Sequence, residues 1–337
     1  MIKKRTHGFT LMELIIAITL LAIVVPGLTV LLSTIFKGYS SYEAASGLKK
    51  NNQESINRIY LTLMETKRLF QGTAADNAFL AKVSLGADAP TVLSGSKLPL
   101  IEESGTLFQG TTNFVTAGVG NCLFFANNSP TQILQNVADS LGSTNTVRID
   151  IYQFTYYYLS SQNSMTIRER QSYSLVEWTS ISYADYDQIN AIVNSTLKSN
   201  TVKKLLAAGV SFAWDSSETN AANAFFNLNA NGTMTLSASH SIQRQRVFNL
   251  TRIMTGVLGS TYKYGVSPNS AGWPRAPAPV PRYASASGNF PGGLEVCIVG
   301  SSMGREVLVR FVVVAQGAMS KILGNDQTII CNVHDVW

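Results

Sequence analysis

The chain has 337 residues, of which 45% are hydrophobic and 14% charged, and its formal net charge is +6. This length and apolar content are enough for one large domain or two small ones, and they exclude a disordered chain. Lys3, Lys4 and Arg5 supply half of the net charge, so the rest of the chain is only weakly basic. Three cysteines are too few for a disulfide framework.

An uncharged apolar run occupies Leu14 to Leu32, 19 residues long. As a helix it spans roughly 28 Å, close to the ~30 Å hydrocarbon core of a bilayer. We therefore predict a transmembrane segment at about residues 9–33. The basic residues before it should stay in the cytoplasm, which places the rest of the chain on the far side of the membrane. Gly8, the small residue of a candidate cleavage site, precedes the apolar run, whereas a secretory signal places such a site after it.

The stretch KKRTHGFTLMELIIAITLLAIVVPG (3–27) resembles the leader and first helix of type IV prepilins and pseudopilins. Gly8, Phe9, Thr10 and Glu13 match the motif of that family in register. The resemblance implies a leader peptide at 1–8, cleavage by a prepilin peptidase between Gly8 and Phe9, and N-methylation of Phe9. It further implies that Phe9, Thr10 and Glu13 act in assembly.

Glu13 has two interpretations. Thr10 and Glu13 have the spacing of a helix-capping box, which needs no membrane. A carboxylate inside a bilayer, however, costs about 2.5–3.5 kcal/mol and should find a partner. The resemblance to pilins implies that this partner is the freed amine of Phe9 on a neighbouring subunit, and that the pair guides the subunit into a filament.

Apolar residues continue at helical spacing after the membrane segment, so one helix is predicted over 9–71, with Gly72 as its stop signal. Pro26 and Gly27 interrupt its pattern and predict a kink, although a proline tolerated in a membrane helix explains them equally well. The stripe that should face a globular head comprises Leu48, Asn52, Ile56, Ile59, Tyr60, Leu63 and Phe70.

Residues 72–337 read as a β-rich antiparallel head, which gives an α+β, pilin-like fold class. Strands and loops are favoured over 72–146 by the content of Gly, Ser, Thr and Asn. Runs at 147–160 and 165–178 predict a hairpin. Further predicted strands are GVSFAW, GTMTLSAS, LEVCIVG and REVLVRFVVVAQG. A short helix is predicted from the shared face of Ile189, Ile192, Val193 and Leu197.

A proline-rich stretch at 265–293 predicts an extended surface loop. Loops this long are often functional, and Trp273, Tyr283 and Phe290 would offer anchors for a partner.

The pattern G-x-S-x-G at 300–304, followed by Asp326 and His334, has the order of a hydrolase triad. That motif requires a strand, a turn and then a helix, whereas the segment after Gly304 reads as a strand. A hairpin turn is therefore the favoured interpretation of Ser302. No catalytic, cofactor or metal site is predicted, and the scattered basic pairs do not favour nucleic-acid binding.

Cys297 and Cys331 enclose an interval like the one that the C-terminal disulfide of many pilins spans. The resemblance thus implies a bridge between them, and free thiols remain the alternative.

The resemblance as a whole implies a minor pilin or minor pseudopilin, similar to the larger J-type subunits, that initiates, primes or caps a filament. Its implied partners are the prepilin peptidase, other pilins or pseudopilins, the inner-membrane assembly platform and membrane lipid. It would be a single-pass protein of the cytoplasmic membrane with an exported head. The alternatives are a large major pilin and a membrane-tethered exported hydrolase.

Overall fold

A 54-residue helix, α1 (Leu11–Met64), leads into a β-rich head. The computed structural model describes residues 10–103, 118–160, 173–250, 253–255, 261–263, 265–266, 293–316 and 322–333. The shorter helices are α2 (Ala74–Leu80), α3 (Tyr186–Asn190) and α4 (Ser195–Ala207). The predicted α+β class, a long helix on a mainly antiparallel head, is confirmed.

The first ten strands follow α1 in the chain, and α2 to α4 occur between them in sequence. They are β1 (Thr66–Phe70), β2 (Ile101–Glu102), β3 (Leu123–Ala138), β4 (Thr144–Ser160), β5 (Ser174–Ser180), β6 (Tyr183–Asp185), β7 (Phe212–Trp214), β8 (Phe225–Leu228), β9 (Met234–Leu236) and β10 (Arg244–Asn249). The remaining strands of the described chain are β11 (Ile253–Thr255), β12 (Thr261–Lys263), β13 (Gly265–Val266), β14 (Leu294–Val299), β15 (Arg305–Gln316) and β16 (Ile322–Val333). Each predicted strand segment of the head contributes to one of these strands.

The end of α1 differs from the prediction. The helix ends at Met64, and residues 66–70, expected to be helical, form β1. β1 pairs antiparallel with β3, with Phe70 opposite Phe124. Phe70 lies seven residues after Leu63, so it keeps the helical spacing although it is in a strand. Pairing with β3 and burial of Phe70 outweigh the local helical pattern.

The described head contains two main sheets and a separate two-stranded sheet, β11–β12. The larger has the order β1-β3-β4-β6-β7-β8-β9, and β5 lies between β4 and β10. β3 and β4 form a long hairpin with Leu123 opposite Tyr157. β4 and β5 pair antiparallel, as the predicted hairpin requires, but the predicted turn at 161–164 lies outside the described residues. Within the smaller sheet β15 is central, between β14 and β16.

The principal core lies between the two sheets and the second half of α1. Leu48, Ile56, Ile59 and Leu63 of the helix enter it, which confirms most of the predicted stripe, whereas Tyr60 is 39% exposed. Both sheets contribute alternate residues, as the two-residue repeat of a strand requires. These include Phe125, Tyr157, Leu159, Val307, Val309 and Phe311.

A second, aromatic core covers the other face of the β3–β4 hairpin. It is closed by α2, which the sequence analysis missed in a region expected to hold strands and loops. Thr73 caps α2 by accepting a hydrogen bond from the Asp76 amide. The large side chains of the aromatic core include Phe70, Phe79, Phe124, Phe154, Trp178, Trp214 and Phe225.

A third core lies where α3 and α4 pack against the far ends of β3 and β4. The single helix predicted here is wrong, because α3 ends at Asn190 and α4 starts afresh at Ser195. Asn194 caps α4 by accepting a hydrogen bond from the Leu197 amide. Val193, predicted to share the apolar face, lies in the connection and is 98% exposed.

His240 in the aromatic core makes the stability of the head sensitive to acid. Its ring stacks on Phe225, and its Nε2 lies 3.1 Å from the Tyr183 hydroxyl. Burial and the nearby Lys82 ammonium lower the pKa of His240 to about 4. Between pH 6.5 and 4 the unfolded chain therefore binds a proton that the folded head excludes, so stability falls as the pH falls through this window.

We expect the unfolding free energy to drop by about 2 kcal/mol from pH 7 to pH 5 because of this histidine. Denaturant titrations at the two pH values, on the native chain and on His240→Phe, measure the effect. The variant should lose that part of the pH dependence. An equal dependence in both chains would contradict the assignment to His240.

Candidate functional site

The first half of α1 makes no contact with the head. Every residue from Thr10 to Tyr39 is exposed, and the large apolar side chains from Leu11 to Phe36 range from 43% to 78% exposed. Among the described residues this is the one helix long and apolar enough to cross a membrane. Burial against the head begins only at Ala44. The exposed half is therefore a surface that lipid or other helices must cover.

Thr10 and Glu13 start the helix together. The Glu13 carboxylate accepts hydrogen bonds from the Thr10 amide and hydroxyl, each at 2.9 Å, and the Thr10 hydroxyl accepts one from the Glu13 amide at 3.3 Å. This is a complete capping box. The sequence left capping as one of two interpretations of Glu13, and the isolated chain adopts it. Gly8 and Phe9 lie outside the described residues.

The helix runs without interruption through Pro26 and Gly27. Proline has no amide hydrogen, so the helical hydrogen bond to the carbonyl four residues earlier is missing at this point. Thr29 donates its hydroxyl hydrogen to the Pro26 carbonyl at 2.8 Å. The predicted kink thus remains a prediction, whereas the missing hydrogen bond marks where the helix is weakest.

A buried carboxylate joins the other half of α1 to the large sheet. Glu177 of β5 is 2% exposed and accepts hydrogen bonds from Nε and Nη2 of Arg58 on the helix, the latter at 2.7 Å. Arg246 of β10 reaches the same carboxylate at 3.2 Å, and the Tyr157 hydroxyl of β4 donates to it at 3.0 Å. We call these four residues the helix clamp. One carboxylate thereby ties α1 to three strands.

Two members of the helix clamp, Arg58 and Tyr157, have shifted pKa values. The hydrogen bond to Glu177 raises the pKa of Arg58 above its ordinary value. Burial and the nearby carboxylate raise the pKa of Tyr157, so its hydroxyl stays a donor. The Arg58 guanidinium also lies 4.6 Å from the centre of the Phe248 ring. Because Glu177 is removed from water, its partners must remain in place to offset the cost of burial.

The small sheet holds the helix at a second point. The Asn52 side-chain amide donates to the backbone carbonyl of Asn325 at 3.1 Å and to its side-chain oxygen at 2.6 Å. On the opposite face of this sheet, Arg310 contacts Glu295 at 3.4 Å and also binds Asp326. These contacts hold β14, β15 and β16 together beneath α1.

The predicted Cys297–Cys331 disulfide is wrong. Both thiols are free, because β15 separates their strands. Cys297 pairs with Leu308 and Cys331 with Val307, so two strand spacings, about 10 Å, lie between them. That exceeds the ~7 Å limit for a bridge. Val307 and Leu308 are adjacent and point to opposite faces, so the two thiols do too.

The rival hydrolase motif lies in a hairpin turn. Ser302 belongs to the connection between the antiparallel strands β14 and β15, and Gly300 in that turn has a φ of 96°. The predicted turn is confirmed, and the strand–turn–helix that presents a nucleophile is not formed here. Asp326 accepts a hydrogen bond from Arg310. His334 lies outside the described residues, as does 267–292 of the predicted proline-rich loop.

Sequence reasoning missed Glu177 and its partners. The segment SLVEW shows a lone carboxylate in an apolar strand, which is the signal that could have pointed to a buried ion pair. Arg58 and Arg246 are 119 and 69 residues away in the chain, so no local pattern names them.

In the described part of the chain, an exposed apolar helix of membrane-spanning length, with a glutamate in its first turn, precedes a β-rich head, as in a protein with an N-terminal membrane anchor. Residues 3–25 match a family model described as the prokaryotic N-terminal methylation motif. Neither the comparison with curated proteins nor that with solved structures gives a match.

The motif and the fold together support membership of the type IV pilin and pseudopilin superfamily. The motif implies processing by a prepilin peptidase and assembly with other pilins. Together with the apolar helix it supports anchoring in the inner membrane.

Proposed function

We propose that this chain is a minor pilin or minor pseudopilin that initiates, primes or caps a type IV pilus-like filament. The observation that carries the proposal is the exposed half of α1, a membrane-length apolar surface that the head does not cover and that has Glu13 in its first turn. In the membrane lipid covers it, and in a filament the helices of neighbouring pilins would replace the lipid.

Assembly follows from the chemistry of the N-terminus. Cleavage between Gly8 and Phe9 would free an amine four residues before Glu13 in the chain, and N-methylation of Phe9 would follow. Pairing of this amine with the Glu13 carboxylate of a neighbour neutralises both charges and sets the axial register. Thr10, which caps the helix in the isolated chain, orients that carboxylate. The inner-membrane assembly platform would move the subunit from lipid into the filament.

The shape of the head supports a position at the tip. The Asn128 amide of β3 donates to the carbonyl of Glu65 at the end of α1 at 2.8 Å. β3 continues from there to Ala138, up to about 30 Å of strand, and α4 packs on this extension. In a helical filament the space above one head is taken by the next subunit. A head with such an extension is accommodated most easily where no subunit follows.

A large major pilin would share the N-terminal chemistry and differ in copy number. Counting this chain against the other subunits in purified filaments separates the two roles. A few copies per filament are expected of a minor subunit, and a chain that forms most of the filament mass would contradict the proposal.

Processing offers a direct test. We expect Gly8→Ala to leave residues 1–8 attached, because the peptidase is expected to require glycine, which has no side chain, before the new N-terminus. Mass spectrometry of the membrane-bound chain measures this. Gly38→Ala is the matched control, since a Cβ there meets nothing within 4 Å. An N-terminus at Phe9 in Gly8→Ala would argue against Gly8 as the recognition residue.

A further inference from the structure

A cleft opens on the part of the head that α3 and α4 build beyond the end of α1. Its volume is about 380 Å³. Tyr186 and Phe226 stack with their ring centres 3.9 Å apart and form an apolar wall. Lys198 and Ser199 of α4 and Gly232 of the β8–β9 turn also line the cleft. It thus combines an aromatic surface, a cation and hydroxyl groups.

Contacts between and within its elements hold the walls of the cleft, and the Ser199 hydroxyl donates to the Asn231 carbonyl of the β8–β9 turn at 3.3 Å. Gly232 has a φ of 85°, and a Cβ there would lie 1.9 Å from the Ser199 hydroxyl oxygen. The β8–β9 turn therefore rests directly on α4, which requires glycine. The Asn231 side chain accepts from the Thr233 amide at 3.1 Å and from its hydroxyl at 2.7 Å. A preformed cleft loses little entropy when it binds a ligand.

The charge in the cleft is positive at one end. The Lys198 ammonium donates to the side-chain oxygen of Asn190 at 2.7 Å and to its backbone carbonyl at 3.4 Å. Among the described lining residues there is no carboxylate. Burial raises the pKa of the Tyr186 hydroxyl, and the nearby carboxylates of Asp215 and Asp187 raise it further. An anionic ligand would therefore place its charge toward Lys198 and a neutral part toward Tyr186.

We infer that the cleft binds a small acidic saccharide. A sugar ring presents an apolar face to an aromatic wall and hydroxyl groups to hydroxyl and amide side chains, which both donate and accept. Its carboxylate complements the ammonium of Lys198. The volume suits one or two sugar rings rather than a folded partner. This site acts independently of filament assembly, because it lies on the head, away from the exposed half of α1.

The test compares methyl β-D-glucuronide with methyl β-D-glucoside, which differ only in the carboxylate. Binding to the full chain in detergent is measured by isothermal titration calorimetry and by ligand-observed NMR. We expect the glucuronide to bind at least ten-fold more tightly. Lys198→Met should remove this preference, and Gly232→Val should weaken both ligands because its side chain enters the space at Ser199. Lys204→Met, on the same helix outside the cleft, should bind as the native chain does.

Three results would overturn the inference. One is equal binding of the two glycosides by the native chain, or binding of neither at millimolar concentration. Another is an unchanged preference in Lys198→Met. The third is tighter binding of an acidic tetrapeptide than of the glucuronide, which would assign the cleft to peptides. Circular dichroism of each variant confirms that loss of binding is not loss of fold.

Discussion

Replacing Glu13 by glutamine should reduce incorporation of the chain into filaments at least ten-fold while leaving it inserted, processed and folded. Glutamine at this position can still accept the hydrogen bonds of the capping box, so the start of α1 is preserved. What it removes is the charge. Without the charge, the attraction to the freed amine of a neighbouring Phe9 is lost, and so is the ~2.5–3.5 kcal/mol cost that drives a buried carboxylate to find a partner.

The measurement is the ratio of chain in sheared filaments to chain in membranes, by quantitative immunoblot. Two variants separate charge from capping. Thr10→Val removes the capping hydroxyl, which orients the carboxylate, but keeps the charge, so it should assemble less well than the native chain and clearly better than Glu13→Gln. Glu43→Gln removes an exposed carboxylate farther along α1 and should have no effect. Normal assembly of Glu13→Gln together with failure of Thr10→Val would show that capping is the function.

The parts of the fold that the sequence predicts are those in which local pattern and tertiary structure agree. In β15 the segment VLVRFVVV consists mostly of residues with high strand propensity, and it forms a strand at the centre of the smaller sheet, as that propensity predicts. The exposed half of α1 is equally plain, because a membrane demands a continuous apolar run. The motif around Gly8 and Glu13 can be identified from the sequence alone, because the spacing of its residues is what defines it.

Where the sequence misled us, distant partners decided the structure. β1 repeats the helical spacing, and only its pairing with β3 makes it a strand. The thiols of Cys297 and Cys331 have a suitable separation along the chain, but the insertion of β15 between their strands is invisible until the sheet order is known. The structural role of Glu177 was missed for the same reason. Its role depends on side chains from three other elements that converge only after folding.

Glu177→Gln should lower the unfolding free energy of the head by about 3 kcal/mol, which is the low end of the cost of breaking a buried ion pair. The low end applies because the Arg58 side chain is 33% exposed and can recover part of its hydration. Glutamine has the same shape, so the loss reports the charge and its hydrogen bonds. Denaturation of the detergent-solubilised chain, followed by tryptophan fluorescence, measures it, since the adjacent Trp178 is fully buried.

Glu54→Gln provides the matched control. Its partner Lys50 is exposed and lies 3.9 Å away, so this pair should contribute less than about 0.5 kcal/mol.

A double-mutant cycle then isolates the link between helix and sheet. Arg58→Met keeps most of the aliphatic part of the side chain but removes the charge, and with it the guanidinium contact with Phe248. If the clamp joins α1 to the large sheet, the double variant should lose clearly less than the sum of the two single losses, by at least 1 kcal/mol. Additive losses would mean that Glu177 is stabilised by Arg246 and Tyr157 alone. The helix would then be held on the head by its apolar stripe and by the contact of Asn52 with Asn325. In that case the Glu177 carboxylate would not transmit a force applied to α1 to the large sheet.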